Sequence, residues 1–316
     1  MVKEGKVFER ESEAISKITP SVYDILRKAP GDQNSQQPFA AKCIYSQLEY
    51  PDVIIVLEDL KEQGFRMPER TEGLEMDHCL LVLRTLAKYH AATAVLYEQN
   101  PELFEPFKEN MFKEKDKDKW NKFYSGTINN LVSKIKNMPN FEEHFKIQLE
   151  KIGKIAAEYV IKTFQKQDGD FNVFAHGDLW LNNIMFRYSE STGQVQDIRF
   201  VDFHPSTKLL KKHDILIEEY HKTLEETFAL LDHKHLHPPI EKLRKELDKK
   251  GLFAVIIACT LLPLVMIDRS DIPDIAKVVK NEEGVKYSKK YLETLEKMVP
   301  IFEEKGWLDV EKFLKE

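Results

Sequence analysis

The strongest constraint on the fold is a set of polar residues at the two open strand ends of an expected β-hairpin. Residues 175–186 read AHGDLWLNNIMF, so Asn183 stands directly before a short apolar strand. A Ser-Thr-Gly turn at 191–193 follows, and a second strand-like run over 196–203 carries Asp202 near its end. The two open ends of an antiparallel hairpin lie side by side. The pattern therefore predicts that Asn183 and Asp202 meet.

The spacing of these polar residues indicates a particular chemistry. His176, Asp178 and Asn183 repeat the His-x-Asp-four-residues-Asn spacing of kinase catalytic loops. Phosphoryl transfer needs a carboxylate that positions the acceptor hydroxyl and accepts its proton, and Asp178 suits that role. Mg²⁺ prefers oxygen ligands, which Asn183 and Asp202 could supply. His-Gly-Asp alone is as often an ordinary turn in which Asp178 caps its own backbone, so the combination carries the interpretation.

Periodicity along the chain predicts an α+β fold. A helix that Pro20 should bend or break is followed by a small sheet, and then by a mostly helical region with one embedded β-hairpin. Helices are predicted over residues 6–27, 74–97, 119–137, 141–167, 215–231, 240–247, 252–267 and 285–302, and strands over 41–47, 53–57, 172–175, 184–188 and 196–203.

Composition excludes several functional classes. A content of 42% hydrophobic and 32% charged residues excludes a disordered chain, and a net charge of −6 provides no general attraction for nucleic acid. The apolar stretch at 251–267 is short for a membrane span, so we expect a buried core helix and no span. Three scattered cysteines, expected to be buried thiols, and a start without a targeting segment favour a cytoplasmic protein.

Two further segments offer weaker signals. The strand at 53–57 runs into Glu58, Asp59 and Leu60, where backbone groups could meet an adenine edge; the alternative is an ordinary strand that ends in two solvated acids. His90 has the helical spacing of a packing residue. Three further histidines occupy every second position of a connector that contains proline and no cysteine: His233, His235 and His237. This setting favours a solvated loop over a metal site.

Taken together, several motifs resemble the ecdysteroid kinase-like family, which belongs to the aminoglycoside- and choline-kinase-like branch of the protein-kinase fold. The resemblance runs from about Val7 to near the C-terminus and agrees in order. The residues that carry it are Phe8-x-x-Glu11, Leu57-Glu-Asp-Leu60 with Gly64-Phe65-Arg66, Leu86-Ala-Lys-Tyr-His90-Ala91, His176-Gly-Asp-Leu-Trp-x-Asn-Asn183 and Asp202-Phe203.

The resemblance implies a two-lobed kinase-like fold that transfers the γ-phosphate of ATP, with Mg²⁺, to a hydroxyl of a small molecule. Ecdysteroids are the proposed substrates of the founding members, so a steroid-like hydrophobic alcohol is the expected partner. By resemblance Asp178, in the loop with His176, is the catalytic base, and the Mg²⁺ ligands are Asn183 and Asp202. The stretch of Glu58, Asp59 and Leu60 is the adenine hinge, and Glu11 is the glutamate of the helix that faces the phosphates.

Two departures from the family pattern lead us to expect impaired activity. Only ten residues precede Glu11, so we expect an incomplete N-terminal lobe over residues 1–60, without the strand lysine and the phosphate-covering loop. Losing one such positioned charge costs about 3–4 kcal/mol in the transition state. After Asp202 the chain is shortened, and His204 replaces an expected glutamine. Both departures read as deletions, from a partial gene model, a splice variant or a decayed copy.

The α-rich second lobe is expected over residues 61–316, with the catalytic loop and hairpin at 172–203. The rival hypothesis is a pseudokinase that binds a small molecule or a protein partner without catalysis. A hydrolase using Asp178 and Asp202 is a third alternative, which the absence of a Gly-x-Ser-x-Gly motif disfavours. The sequence does not determine the acceptor or the oligomeric state.

Overall fold

The computed structural model describes residues 7–28, 38–49, 52–68, 73–108, 112–165, 171–177, 179, 181–201, 213–267, 277–278 and 284–314. The predicted site residues Asp178 and Asp202, and the departure at His204, lie outside the described residues. The chain divides into two units, one of Met1–Glu109 with Asp170–Ile240 and the other of Asn110–Gly169 with Glu241–Glu316.

Helices dominate both units, and the four strands belong to the first. In chain order the helices and strands are α1 (Val7–Glu13), α2 (Thr19–Lys28), β1 (Cys43–Gln47), β2 (Ile54–Leu57), α3 (Met76–Gln99), α4 (Lys117–Ile135), α5 (Glu143–Thr163), β3 (Ile184–Tyr188), β4 (Val195–Phe200), α6 (His213–Leu230), α7 (Ile240–Lys249), α8 (Gly251–Thr260), α9 (Leu262–Val265), α10 (Lys289–Glu304) and α11 (Val310–Leu314). The predicted α+β class is confirmed.

Pro20 changes the winding of the first helix without ending it. A π-helical segment, Ala14–Ile18, joins α1 to α2. Proline has no N–H to donate to the turn before it, so the preceding backbone must find other partners. The amide of Thr19 reaches back to the Ala14 carbonyl, and the Thr19 hydroxyl donates to the same oxygen at 3.0 Å. The expected bend or break is therefore realised as a π segment.

Helix α3 forms the centre of the first unit. It contacts α2 and α6, and it buries most of one side, including Ala87, Tyr89, Ala91 and Val95. By length and composition alone α3 would be long and apolar enough to cross a membrane, and 56% of its apolar window is buried within the protein. These contacts are those of a core helix.

Hydrogen bonds hold the β3–β4 hairpin along both of its edges. The strands pair antiparallel, with Ile184 opposite Phe200. Outside β4, the Phe200 amide donates to the Phe39 carbonyl at 2.7 Å. Outside β3, Arg66 and Phe186 exchange two backbone hydrogen bonds of 2.9 Å. Chain that precedes β1 and chain that follows β2 therefore flank the predicted hairpin, which is confirmed.

The strand predicted at 172–175 is wrong. Residues 171–176 have no regular secondary structure, and the Phe174 amide donates to the Thr93 hydroxyl on α3 at 3.2 Å. Phe171, Val173 and Phe174 pack against the apolar core of the first unit. Apolar residues at alternating positions gave the segment a strand pattern, but its partner is a helix and not a sheet.

The second unit contains helices and connecting loops, and no strand, among its described residues. Helix α8 packs against α4, α5 and α10. Its N-terminal Gly251 lies so close to Trp307 that a Cβ there would be 2.2 Å from the indole ring. The apolar stretch 251–267 forms α8 and α9, and its side chains are mostly buried.

Residues 1–60 fall in the first unit together with the hairpin, and the lobe boundary at residue 60 stays a prediction. Cys79 and Cys259 are buried as expected, and burial raises the pKa of the Cys259 thiol to about 12. Cys43 is only half-buried, since the side chains of β1 lie largely exposed.

His90 links α3 to α6 and makes the first unit sensitive to acid. Its Nδ1 is 2.8 Å from the Tyr220 hydroxyl, and desolvation by burial lowers its pKa from 6.5 to about 3. Between those two pH values the unfolded chain binds a proton that the folded chain does not. Stability contributed by neutral His90 is therefore complete above about pH 6.5 and is lost as the pH falls toward 3.

We expect His90→Gln to lower by one the number of protons that the protein takes up when it unfolds between about pH 4 and 6. Each linked proton changes the free energy of unfolding by about 1.4 kcal/mol per pH unit. Urea unfolding at several pH values between about 4 and 6 should give a slope lower by that amount in the variant than in the parent protein. His144→Gln, at an exposed position, is the control. Parallel slopes for the parent protein and His90→Gln would contradict the assignment.

Candidate functional site

The open end of the hairpin is closed by one backbone hydrogen bond. The Val201 amide donates to the Asn183 carbonyl at 2.9 Å. Asn183 ends a 3₁₀ turn, Leu181–Asn183, that leads directly into β3, and it is only 5% exposed. The residue that follows Val201 in the chain is Asp202. The backbone thus agrees with the pairing that the sequence predicts, while the Asp202 side chain lies outside the described residues.

The segment before Asn183 is fixed by contacts with β4 and α3. His176 is 5% exposed, and its ring meets the Phe200 ring edge-on, with centroids 5.5 Å apart. Gly177 has φ of +81°, a conformation that glycine adopts without strain. Thr93, fully buried on α3, holds the Phe174 amide. Because His176 packs inside the unit, its placement favours positioning of the loop over contact with a substrate.

A small apolar cluster lies beside the open end of the hairpin. Its buried members are Ala41, Leu60, Phe65 and Met185, and Leu57 and Val201 pack against them. Met185 follows Asn183 by two residues, and Val201 is the partner of Asn183 across the hairpin. The cluster therefore joins the predicted hinge residue Leu60 to the strand ends that carry the predicted metal ligands.

Glu58 fastens the end of the β1–β2 sheet. Its Oε1 accepts a hydrogen bond from the Lys42 amide at 2.8 Å, and its Oε2 accepts one from the Gln63 side-chain amide at 2.8 Å. The Glu58 amide in turn donates to the Lys42 carbonyl at 2.9 Å. Both carboxylate oxygens are therefore used within the segment, and Glu58 fixes the shape of the predicted hinge.

The following residues form a tight turn. Asp59 Oδ1 accepts a hydrogen bond from the Lys61 amide at 2.8 Å, and the Leu60 carbonyl accepts from the amides of Gln63 and Phe65. Among the residues that the structure describes, the Glu58 carbonyl and the Leu60 amide take part in no hydrogen bond. One backbone acceptor and one backbone donor, two residues apart, thus have no hydrogen-bond partner among the described residues.

Glu11 lies on α1 and is half-buried. The next residue, Ser12, donates a hydrogen bond of 3.2 Å to the Ser46 hydroxyl on β1, so this part of the helix contacts the small sheet. Its predicted role beside the phosphates stays a prediction.

A partly buried ion-pair cluster supports the hairpin away from its open end. Asp197 pairs with Arg187 and Arg199 at 2.8 Å each. The Arg199 guanidinium lies 4.5 Å from the centre of the Phe65 ring and Arg187 lies 5.2 Å from it. Phe65 is 2% exposed, so the turn after the hinge is clamped onto β3 and β4.

The structure pairs Asn183 with Val201, and Val201 packs against the cluster that contains the predicted hinge residue Leu60. It places His176 in the packing of the same loop, while Asp178 and Asp202 stay predictions. Sequence reasoning missed the apolar cluster and the Thr93 anchor. The burial of Met185 was predictable from its place in an apolar strand, two residues after Asn183. Thr93 gives no local signal, because its hydrogen-bond partner Phe174 lies eighty-one residues further along the chain.

We expect Glu58→Ala to lower both stability and nucleotide affinity. The change removes two hydrogen bonds to a partly exposed carboxylate, which should cost about 1–2 kcal/mol of unfolding free energy. It also frees the segment that carries the Glu58 carbonyl and the Leu60 amide. Urea unfolding and ATP titration measure the two effects, and Glu62→Ala, exposed in the same turn, is the control. Equal behaviour of the two variants would contradict the assignment.

Comparison with known proteins assigns the chain to a family. The model of the ecdysteroid kinase-like family matches residues 1–208, about two thirds of the chain. No curated protein and no solved structure matches. The matched region includes the hinge, the loop with His176 and Asn183, and the β3–β4 hairpin. The kinase-like fold class predicted from the sequence is confirmed, and the chain belongs to the ecdysteroid kinase-like family.

Proposed function

We propose that this chain binds ATP with Mg²⁺ and transfers the γ-phosphoryl group to a hydroxyl of a small hydrophobic alcohol. Membership of the ecdysteroid kinase-like family supports kinase-like phosphotransfer, and the family name suggests an ecdysteroid as acceptor. The observation that carries the proposal is the 2.9 Å hydrogen bond between Val201 and Asn183, beside a cluster that contains Leu60.

The donor set at the open end of the hairpin suits Mg²⁺. Asn183 would supply an amide oxygen and Asp202 a carboxylate, and hard divalent cations prefer such oxygen ligands over imidazole or thiolate. Asn183 is buried and its backbone is held by Val201, so its position is fixed before any ion binds. When bound, Mg²⁺ would neutralise charge on the phosphate oxygens.

The hinge suits the edge of an adenine ring. Adenine offers an amino donor next to a ring-nitrogen acceptor, and the Glu58 carbonyl and Leu60 amide are an acceptor and a donor in matching order. A flat ring bound there would rest on Leu57, Met185 and Val201, three partly or fully buried apolar side chains. Glu58, through its two carboxylate hydrogen bonds, would hold these backbone groups in place.

Asp178 is assigned the proton-accepting role. The carboxylate would orient the acceptor hydroxyl and take its proton as the new bond to phosphorus forms. His176 and Thr93 would keep the loop in register with β4 and α3, respectively. These two are positioning residues, since both are buried in the unit.

The test separates binding from chemistry with two variants. Asp178→Asn should keep Mg²⁺-dependent ATP affinity but lower ADP formation by about a hundredfold or more, because the proton acceptor is lost. Asp202→Asn should weaken Mg²⁺-dependent ATP binding itself. Calorimetry with MgATP and an ADP-release assay across a panel of steroid alcohols measure the two effects.

Glu190→Gln, exposed at the closed end of the same hairpin, is the matched control and should behave as the parent protein. A folded parent chain that binds no MgATP would contradict the proposal. A parent chain that binds MgATP and steroid alcohols but releases no ADP would favour the pseudokinase hypothesis.

A further inference from the structure

Three potential metal ligands meet on α6 and the segment that follows it. Each of His221, Glu225 and His237 offers one ligand atom, and these atoms lie within 4.8 Å of one another. His221 and Glu225 are four residues apart on α6, so the helix places them on the same face. The imidazole rings of His221 and His237 have centroids 4.4 Å apart.

The end of α6 explains how His237 reaches this helix face. Asp232 has φ of +60°, and the His233 amide donates to the Phe228 carbonyl at 2.9 Å, the bond that closes a helix C-terminus of this kind. The chain then reverses and runs back beside α6 through the 3₁₀ turn Lys234–Leu236. His237 consequently packs near His221 and Phe228.

The two other histidines of the connector serve a different contact. His235 Nε2 lies 2.8 Å from Glu98 Oε1 and His233 Nε2 lies 3.6 Å from Glu98 Oε2, at the end of α3. Of the three histidines in the connector, His233 and His235 contact α3, whereas His237 contacts α6. Glu98 anchors the first two, which leaves His237 directed to α6.

Hydrogen bonding determines which nitrogen of His221 carries a lone pair. Its Nε2 lies 3.1 Å from the Pro238 carbonyl, and a carbonyl can only accept, so Nε2 carries the proton. The lone pair of the neutral ring is therefore on Nδ1. An imidazole that donates one nitrogen to a backbone carbonyl and offers the other to an ion is the usual arrangement at protein metal sites.

His237 has a nitrogen without a partner. Its Nε2 is inaccessible to water and makes no hydrogen bond among the described residues. A buried polar atom without a partner is rare in folded proteins, and an ion bound at this nitrogen would supply one.

We propose that His221, Glu225 and His237 form a binding site for a divalent transition metal ion, with Zn²⁺ the best match. Two imidazole nitrogens and one carboxylate are a ligand set that Zn²⁺ takes in proteins, whereas Mg²⁺ and Ca²⁺ prefer oxygen alone. Three protein ligands leave a fourth position for water. The site does not depend on the proposed phosphotransfer.

The geometry requires only small movements. Zn²⁺ bonds of about 2.0–2.2 Å at tetrahedral angles separate ligand atoms by about 3.4 Å, so each atom moves by roughly 1 Å or less. Glu225 is exposed and can rotate toward the two rings, and it gives the ion a path from solvent. A bound ion would fasten the connector that contains His237 to α6.

The experiment uses the full chain without an affinity tag, first treated with a chelator. Calorimetric titration with Zn²⁺ at neutral pH, in the presence of excess Mg²⁺, should give one saturable site. Co²⁺ as a spectroscopic probe should show the visible bands of nitrogen and oxygen ligation without a thiolate charge-transfer band. His221→Gln, Glu225→Gln and His237→Gln should each weaken Zn²⁺ binding at least tenfold.

His235→Gln is the matched control, because it removes a histidine from the same connector but not from the site; its affinity should stay within twofold of the parent value. Glu225→Gln changes an exposed side chain and keeps the test valid if the histidine variants fail to fold. No saturable Zn²⁺ binding, or equal weakening by His235→Gln and His237→Gln, would overturn the proposal. Loss of ATP binding in Asp202→Asn with Zn²⁺ affinity retained would separate this site from the phosphotransfer site.

Discussion

The hydrogen bonds along both edges of the β3–β4 hairpin are the constraint on which the candidate site depends. A two-stranded hairpin alone is only marginally stable in water. Here Phe39 and Arg66 bond its outer edges, and the hydroxyl of Tyr23 accepts hydrogen bonds from the amides of Phe39 and Ala40 at 3.1 and 3.0 Å. Helix α2, the segment around Phe39 and the hairpin are thereby joined, and Val201, the hydrogen-bond partner of Asn183, packs against the cluster that contains Leu60.

The small β1–β2 sheet is held in a different way. Four of its apolar side chains are 40–64% exposed: Ile44, Tyr45, Ile54 and Val56. The packing of these side chains therefore adds little to the stability of the sheet. The carboxylate of Glu58 compensates at the end next to the hinge, where it bonds the Lys42 amide across the sheet. Side-chain hydrogen bonds of Glu58 therefore determine the shape of the segment where a nucleotide is proposed to bind, whereas backbone hydrogen bonds along both edges hold the hairpin.

Local patterns predicted the elements whose causes are local. The hairpin was found from its Ser-Thr-Gly turn and two apolar strands, and α3 from its periodicity. The strand at 172–175 was predicted wrongly because its alternating apolar residues pack on a helix, with Thr93 as the hydrogen-bond partner. The hydrogen bonds of Glu58 were not predicted, because they join residues that only the folded chain brings together.

The connector after α6 extends this point to metal chemistry. The sequence favoured a solvated loop for its histidines, because they lie in a proline-containing connector without accompanying cysteines. The chain reversal at Asp232 places His237 beside His221 and Glu225 of α6, a proximity that spacing in the sequence does not reveal. The chain then has two candidate ion sites of different hardness. The oxygen ligands proposed at Asn183 and Asp202 suit Mg²⁺, whereas two imidazoles favour a softer ion, so Mg²⁺ would not displace that ion from the α6 site.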